Sequence, residues 1–197
     1  MNILQTDSQK LLDGVLALLS QKGIVTPDEI AARIASTDAA SPAQGARMVA
    51  RAWLDPEFRA LMLRDGTQAA EDSGIPMRGL PPLGVLEDTE TVHHLVVCTL
   101  CSCYPRAVLG YPPFWFKSAA YRARAVRDPR GLIGEWGTTL PEGVHLRVVD
   151  STADYRWMVL PRRPAGTEGW SAEQLAAIVR EGDMIGVTIP AADAIKA

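Results

Sequence analysis

The feature that most constrains this 197-residue chain is that its only three cysteines fall within six residues, Cys98-Thr99-Leu100-Cys101-Ser102-Cys103. A disulfide framework would need pairs spread along the sequence, whereas thiolates this close can bind one metal ion. If the sulfurs of Cys101 and Cys103 bind the same ion, the amide nitrogens of Ser102 and Cys103 lie between them and close one six-membered and two five-membered chelate rings. Two sulfurs and two nitrogens then form a square plane. Cys98 can add an axial sulfur, which leaves one position open, as a catalytic metal requires. We call residues 98–103 the claw.

The donor set of the claw selects among metals. Thiolates are soft donors and deprotonated amides are strong σ-donors, so together they favour a low-spin trivalent ion, Co(III) or Fe(III). The alternative is a structural zinc site with His93 or His94 as fourth ligand, but Cys101 and Cys103 are too close for relaxed tetrahedral coordination. A thioredoxin-like redox pair at Cys98 and Cys101 would need a βαβ unit, which the sequence does not predict.

Composition excludes several functional classes. The net charge of −3 provides no basic surface for nucleic acid. No apolar run approaches the ~20 residues of a membrane-spanning helix, so we expect no membrane partner. Reduced thiolates held by a metal fit a cytoplasmic protein best.

Helical patterns dominate the first 75 residues. Apolar residues recur at helical spacing from Leu11 to Leu19, and the pattern ends near Gly23. Thr26-Pro27-Asp28-Glu29 and Asp55-Pro56-Glu57 are typical helix starts. A segment rich in proline and glycine follows from residue 74 to residue 84. We therefore predict a helical N-terminal arm at residues 1–75 and a metal-binding catalytic domain at residues 76–197.

Strands and helices mix in the second domain. Residues 85–86 and 95–97 are predicted as strands, the second leading into the claw. Residues 144–149 and 155–160 alternate well enough to predict two paired strands, and residues 185–189 a last strand. Helices are expected at residues 117–126 and after the capping box that starts at Ser171. Helices come first, the mixture comes later and no βαβ repeat is visible, so the predicted fold class is α+β.

Several segments resemble the α subunit of nitrile hydratase. Val97 to Pro105 resembles the metal-binding signature of that family. The resemblance continues through Ala50-Arg51-Ala52-Trp53, Tyr121-Arg122-Ala123-Arg124 and the run from Arg163 to Trp170. It implies a helical N-terminal arm followed by a layered α-β-β-α body, and a β-type subunit as partner. It also implies hydration of a nitrile, R–C≡N, to the amide R–CONH2. The γ subunit of thiocyanate hydrolase carries the same claw and remains an alternative, as does a non-catalytic metal-binding or partner-binding subunit.

The resemblance also assigns roles within the claw. Thr99 after the first cysteine is typical of cobalt enzymes in the family, so we expect one Co(III) per chain rather than Fe(III), with Cys98, Cys101, Ser102 and Cys103 as ligands. Cys101 would become a sulfinic acid and Cys103 a sulfenic acid, while Cys98 stays a thiolate. Two arginines of the β subunit would donate to the new oxygens, and a metallochaperone would load the cobalt. Cys101, Ser102 and Cys103 are the predicted catalytic residues, and the nucleophile is either water activated by the metal or the sulfenate oxygen.

Two departures from the family bear on the substrate. Arg106 stands where the family commonly has tryptophan, and Arg78-Gly79-Leu80-Pro81 replaces a stretch that usually carries glutamine. We predict Arg106 and Thr99 as pocket residues and a larger or more polar nitrile than usual. The hydroxyl groups of Thr99 and Ser102 are expected either to bind the ligand sulfurs and their oxygens or to stabilise the local turn.

Overall fold

The computed structural model describes residues 3–193. The chain divides into two compact units, and the division falls between Ala39 and Ala40. The first unit consists of helices α1 (Ile3–Gln21) and α2 (Pro27–Ala39). Gly23 follows α1 with φ of 65°, a backbone angle that glycine adopts without strain. Thr26 caps α2, because its hydroxyl accepts from the Glu29 amide at 3.2 Å while the Glu29 carboxylate accepts from the Thr26 amide at 2.7 Å. Both predicted helices of this unit are therefore confirmed.

The second unit holds the remaining helices, all shorter than α1. They are α3 (Pro42–Leu54), α4 (Pro56–Arg64), α5 (Gly66–Asp72), α6 (Arg106–Leu109), α7 (Phe114–Lys117), α8 (Ala119–Arg127), α9 (Pro129–Gly134) and α10 (Ala172–Ala177), with a 3₁₀ turn at Glu181–Met184. Asp55 starts α4 by accepting from the amides of Glu57 and Phe58. The Ser171 hydroxyl starts α10 by accepting from the Gln174 amide, as the sequence predicted.

Within residues 3–193, four strands form two separate parallel pairs. Strand β1 (Leu83–Glu87) pairs with β4 (Arg156–Leu160), and β2 (Val92–Val97) pairs with β3 (His145–Asp150). The prediction that residues 144–149 and 155–160 pair with each other was therefore wrong. Alternation identifies a strand but not its partner, and here each strand pairs with an apolar strand from much earlier in the chain.

The predicted last strand at residues 185–189 was also wrong. These residues form an irregular turn after the 3₁₀ turn, and Ile185 and Val187 are fully buried in the core. The Val96 amide donates to the Ile185 carbonyl at 2.8 Å, so the turn lies against β2. The apolar alternation reflected burial of a turn rather than a strand.

The strand pairs lie between helices. Helices α4 and α5 contact β1, while α8 contacts β2 and α9 contacts β3. This is the layered α+β body that the sequence predicted. The largest fully buried side chains of its core include Met48, Met62, Leu95, Leu109, Phe116, Met158 and Met184.

Helices α3 to α5 belong to the second unit. Met48 and Val49 of α3 and Met62 of α4 are fully buried in its core, and the Trp53 indole donates to the Pro161 carbonyl at 2.8 Å. The predicted domain boundary follows residue 75, whereas the division between the compact units of the structure follows residue 39. The ends of the predicted domains, residues 1–2 and 194–197, lie outside the described residues.

The fold places the claw at the carboxyl end of the β2–β3 pair. Val97 ends β2 directly before Cys98, and its register partner Asp150 ends β3. Within residues 3–193, no helix is both long and apolar enough to cross a membrane.

Candidate metal centre

The three cysteine sulfurs converge. All three Sγ atoms lie within 4.8 Å of one another, with 3.5 Å between Cys98 and Cys101 and 3.2 Å between Cys101 and Cys103. A disulfide bond would be about 2.05 Å long. Two sulfurs about 2.3 Å from one ion are about 3.3 Å apart at a right angle and about 3.8 Å apart at a tetrahedral angle. The measured spacing of Cys101 and Cys103 therefore fits neighbouring corners of a square plane, and the donor set fits the trivalent ion that the sequence predicts.

Two thiols of the claw differ in how readily they lose a proton. Hydrogen bonds from Cys103 and Cys98, and from the amides of Ser102 and Cys103, hold the pKa of the Cys101 thiol below its usual value. Burial raises the pKa of Cys103 to about 12, an effect that the nearby charge of Arg156 partly opposes. Cys98 and Cys103 are buried whereas Cys101 is exposed. In the metal-free chain Cys101 is thus the easier of these two thiols to deprotonate, and Cys103 needs a bound cation to lose its proton at neutral pH.

Thr99 is fixed by two neighbouring side chains. Its amide donates to Oδ1 of Asp150 at 3.0 Å and its hydroxyl to Oδ2 at 2.5 Å. Nη1 of Arg122 donates to the Thr99 carbonyl at 3.3 Å and to the Leu100 carbonyl at 2.9 Å. Of the two roles predicted for the Thr99 hydroxyl, the structure therefore shows stabilisation of the turn. The sequence analysis missed Asp150 and Arg122, because only the pairing of β2 with β3 and the position of α8 bring them to the claw.

The two histidines considered as zinc ligands bind elsewhere. Nδ1 of His93 lies 2.8 Å from Oδ2 of the buried Asp88, and Nδ1 of His94 lies 3.0 Å from Oδ1. Nε2 of His93 lies 2.8 Å from the Gly186 carbonyl. Across residues 3–193, the only cluster of His, Cys, Asp or Glu side chains positioned to hold a metal contains the three cysteines alone. The structure gives the zinc alternative no fourth ligand from these histidines.

A pocket of about 170 Å³ opens beside the claw. Its walls are Met77, Leu80, Pro81, Leu83, Tyr104, Pro105, Arg106, Ala107, Val108 and Arg156. An apolar cavity of about 150 Å³ can bind benzene, so this pocket has room for a small organic molecule. Arg106 lines this pocket and Thr99 does not, and a role of either residue in binding substrate stays a prediction.

The pocket carries positive charge without a matching acid. Arg106 and Arg156 are its only charged lining residues. Nη1 of Arg156 is buried and, within residues 3–193, has no hydrogen-bond partner. The guanidinium of Arg106 lies 4.4 Å from the centre of the Tyr111 ring, a cation–π contact. Behind the pocket, the Tyr104 hydroxyl donates to Glu181 at 2.5 Å. The charges of the two guanidinium groups would attract an anionic group in the pocket.

Comparisons with known proteins agree with this geometry. The family model described as nitrile hydratase, alpha chain, matches residues 6–188. The α subunit of a low-molecular-weight cobalt-containing nitrile hydratase from Rhodococcus rhodochrous is 49% identical over 176 residues, which cover 88% of this chain and 84% of that protein. The γ subunit of thiocyanate hydrolase from Thiobacillus thioparus is 41% identical, covering 94% of this chain and 81% of that protein.

A solved structure extends the agreement to the fold. A double mutant of the Fe-type nitrile hydratase from Comamonas testosteroni Ni1 has a TM-score of 0.82 and 37% identity, covering 98% of this chain and 94% of that chain. The resemblance inferred from the claw and the segments around it is therefore confirmed. The chain belongs to the nitrile hydratase α-chain family.

Proposed function

We propose that this chain is the metal-bearing α subunit of a cobalt nitrile hydratase, which converts R–C≡N and water into R–CONH2. The observation that carries the proposal is the claw, in which the three Sγ atoms converge and those of Cys101 and Cys103 lie 3.2 Å apart. The cobalt-containing nitrile hydratase subunit that is 49% identical supports both the metal and the reaction. Thr99, typical of cobalt enzymes in the family, favours cobalt over iron.

The residues of the claw would have distinct roles in binding the metal and in the reaction. The sulfurs of Cys98, Cys101 and Cys103 and the amides of Ser102 and Cys103 would hold the ion. Bound Co(III) supplies a Lewis acid that polarises a nitrile or lowers the pKa of water. Tyr104 and Pro105, which directly follow Cys103, line the pocket, so a nitrile bound there lies next to the last ligand. An oxygen on Cys103 could then act as base or nucleophile.

Oxidation of the claw is part of the proposal. Cys101 is exposed and its pKa is lowered, and both properties favour oxidation of a thiol. With dioxygen or a peroxide from solution as the oxidant, we expect a four-electron oxidation of Cys101 to a sulfinic acid and a two-electron oxidation of Cys103 to a sulfenic acid. The exposed side of the claw leaves room for donors from another chain, such as the two β-subunit arginines that the family resemblance implies. We also propose that a metallochaperone loads the cobalt and that the protein is cytoplasmic.

Metal analysis and an assay test this function directly. The chain is produced in ample cobalt, with and without its β partner, and examined for metal content, intact mass and amide formation. We expect about one cobalt per chain, added oxygen on the peptide that holds the claw, and turnover only with the partner. Zinc alone, or a claw without added oxygen in an active enzyme, would contradict the proposal.

Thiocyanate hydrolysis is the second candidate, and the charged pocket favours it. Thiocyanate is a small anion, and Arg106 and Arg156 line the pocket with no acid beside them. The experiment supplies thiocyanate, a neutral nitrile and a carboxylate-bearing nitrile in parallel, and measures carbonyl sulfide and amide. Carbonyl sulfide as the main product would replace the first proposal with the second.

A matched pair of variants tests the role of Arg106 in either case. Arg106→Trp removes the positive charge and adds an apolar wall, so we expect kcat/KM to fall roughly tenfold for the anionic substrates, the loss typical of one charged hydrogen bond in a solvated site, and to be kept for the neutral nitrile. Arg64→Gln removes the same charge from α4, outside the pocket, and should leave the preference unchanged. Equal effects of Arg106→Trp on charged and neutral substrates would exclude a charge-selecting role.

A further inference from the structure

The turn between the first two sulfur ligands is held by polar contacts rather than by packing. Thr99 and Leu100 connect Cys98 to Cys101, and the Leu100 side chain is 88% exposed. Thr99 and Cys101 are exposed as well. An exposed turn has little buried apolar surface to fix it, so its conformation depends on the hydrogen bonds that it makes.

Those hydrogen bonds involve every polar group of Thr99. Asp150 accepts from both the amide and the hydroxyl, one bond on each carboxylate oxygen. Arg122 donates to the carbonyl of Thr99 and to that of Leu100. Because Asp150 binds Thr99, and Arg122 binds both Thr99 and Leu100, moving the turn would break several charge-assisted hydrogen bonds at once.

Both side chains come from well-anchored elements. Asp150 is the last residue of β3 and lies in register with Val97, which directly precedes the claw. Arg122 lies in α8, whose Tyr121 hydroxyl donates to the Val96 carbonyl of β2 at 2.6 Å. We call Asp150 and Arg122 the clamp. Both are thus tied to β2, which ends directly before Cys98, so the clamp holds the turn relative to the first ligand.

We infer that Asp150 and Arg122 are positioning residues, which hold the Thr99–Leu100 turn so that Cys98 and Cys101 are preorganised to bind the metal before it enters. The inference rests on the proposed function, because it presumes that the claw binds cobalt. The Thr99 hydroxyl then has a structural role, because it anchors the turn to Asp150. Preorganisation of this kind lowers the conformational freedom lost when the ion binds.

Cobalt binding to the reduced full-length chain tests the inference without turnover. Co(II) is titrated into the metal-free chain while the thiolate-to-cobalt charge-transfer absorption is followed. Because outer-shell partners of metal ligands typically change affinity by about 10–100-fold, we expect Asp150→Asn and Arg122→Gln to weaken binding within that range. Thr99→Val keeps the hydrogen bond from the backbone amide to Asp150 but loses the one from the hydroxyl, so it should weaken cobalt binding about tenfold. Thr99→Ser should restore the affinity.

Matched controls separate the clamp from a general charge effect. Glu142→Gln, in the connection before β3, and Arg127→Gln, at the end of α8, make the same charge changes at exposed positions away from the turn. Both should bind cobalt like the unmodified chain. If Asp150→Asn disturbs the far-ultraviolet circular dichroism, the Thr99 pair still decides, because it alters only an exposed side chain.

The outcomes distinguish the two proposals. Affinities of all clamp variants within about twofold of the unmodified chain, with the same charge-transfer band, would overturn the inference and leave the proposed function standing. Absence of cobalt binding by the unmodified chain would instead remove the proposed function, on which the inference depends. Weaker binding by Thr99→Val that Thr99→Ser restores would support the clamp.

Discussion

Replacing Asp88 by asparagine should destabilise the chain, and more strongly in mild acid than in alkali. Asp88 and His93 are both buried, with side chains 5% exposed, and their charged atoms lie 2.8 Å apart. Nε2 of His93 faces the Gly186 carbonyl at 2.8 Å. A carboxylate and a carbonyl can only accept hydrogen bonds, so both ring nitrogens of His93 must donate. The structure therefore contains a buried imidazolium–carboxylate pair.

The pKa shifts of the pair set the pH window. Burial works against both charges, but hydrogen bonds from His93 and His94 keep the pKa of Asp88 below its usual 3.8. Burial would likewise lower the pKa of His93, but the hydrogen bond and charge of Asp88 raise it above 6.5. The Asp88 contribution is present above pH 3.8 and disappears as pH falls through its folded pKa. The His93 contribution is complete below pH 6.5 and disappears as pH rises through its folded pKa.

The expected loss of unfolding free energy follows from removing one member of the buried Asp88–His93 pair. Removing one member of a buried pair costs about 3–5 kcal/mol. Asparagine keeps an oxygen for the His94 amide, which donates to Asp88 at 2.8 Å, so we expect the lower end, about 3 kcal/mol near pH 5.5. For a chain of this size that corresponds to roughly 6–12 °C in Tm. At pH 9, neutral His93 can still donate to Gly186 and accept from the new amide, so the loss should shrink to about 1 kcal/mol.

Urea unfolding of the reduced, metal-free chain at pH 5.5 and pH 9 measures this difference. The free energy of unfolding is obtained for the unmodified chain, for Asp88→Asn and for Asp154→Asn. Asp154 is exposed, so its variant should change stability by less than about 0.5 kcal/mol at both pH values. An equal loss for Asp88→Asn at both pH values, or a larger loss at pH 9, would show that His93 is not charged in the folded chain.

Two further predictions concern backbone space and a buried hydrogen bond. Gly186→Ala should prevent folding, because a Cβ atom would lie 1.8 Å from the His94 carbonyl oxygen; soluble yield and circular dichroism measure this. Gly74→Ala shares the positive φ but has nothing within 4 Å of the added carbon, so it should cost only about 1–2 kcal/mol. Tyr104→Phe should cost about 1–3 kcal/mol in urea unfolding, because half-buried Glu181 loses its donor; an unchanged unfolding midpoint would show that water replaces the hydroxyl.

The sequence predicted the claw because the relevant geometry is local. Chelate-ring sizes depend only on the few bonds between Cys101 and Cys103, and helix starts such as Asp55 depend on residues within one turn. Strand partners depend on distant segments, so alternation alone gave the wrong pairing for residues 144–149 and 155–160. Asp150 was missed for the same reason, since an aspartate that ends a strand acquires a role only when β3 lies beside β2.

Arg156 shows a different limit of sequence reasoning. An arginine within a strand pattern does not indicate a functional site by itself. Arg156 draws attention only in the structure, where its Nη1 is buried without a partner in residues 3–193 and its charge acts on Cys103. The prediction that Arg106 replaces an apolar wall needed only the family pattern. The finding that a second guanidinium shares the pocket needed the pairing of β4 with β1.

The arrangement around the claw also explains why we expect this chain to bind metal alone but to react only with a partner. Its own residues hold the ligands from inside the fold: β2 leads directly into Cys98, β3 supplies Asp150, and α8 supplies Arg122. Cys101 faces outward. A sulfinic acid at that position would carry oxygens that need hydrogen-bond donors to keep their charge stable. Beyond the Ser102 hydroxyl, donors for those oxygens would come from solvent or from another chain, and only a protein chain can hold them in fixed geometry.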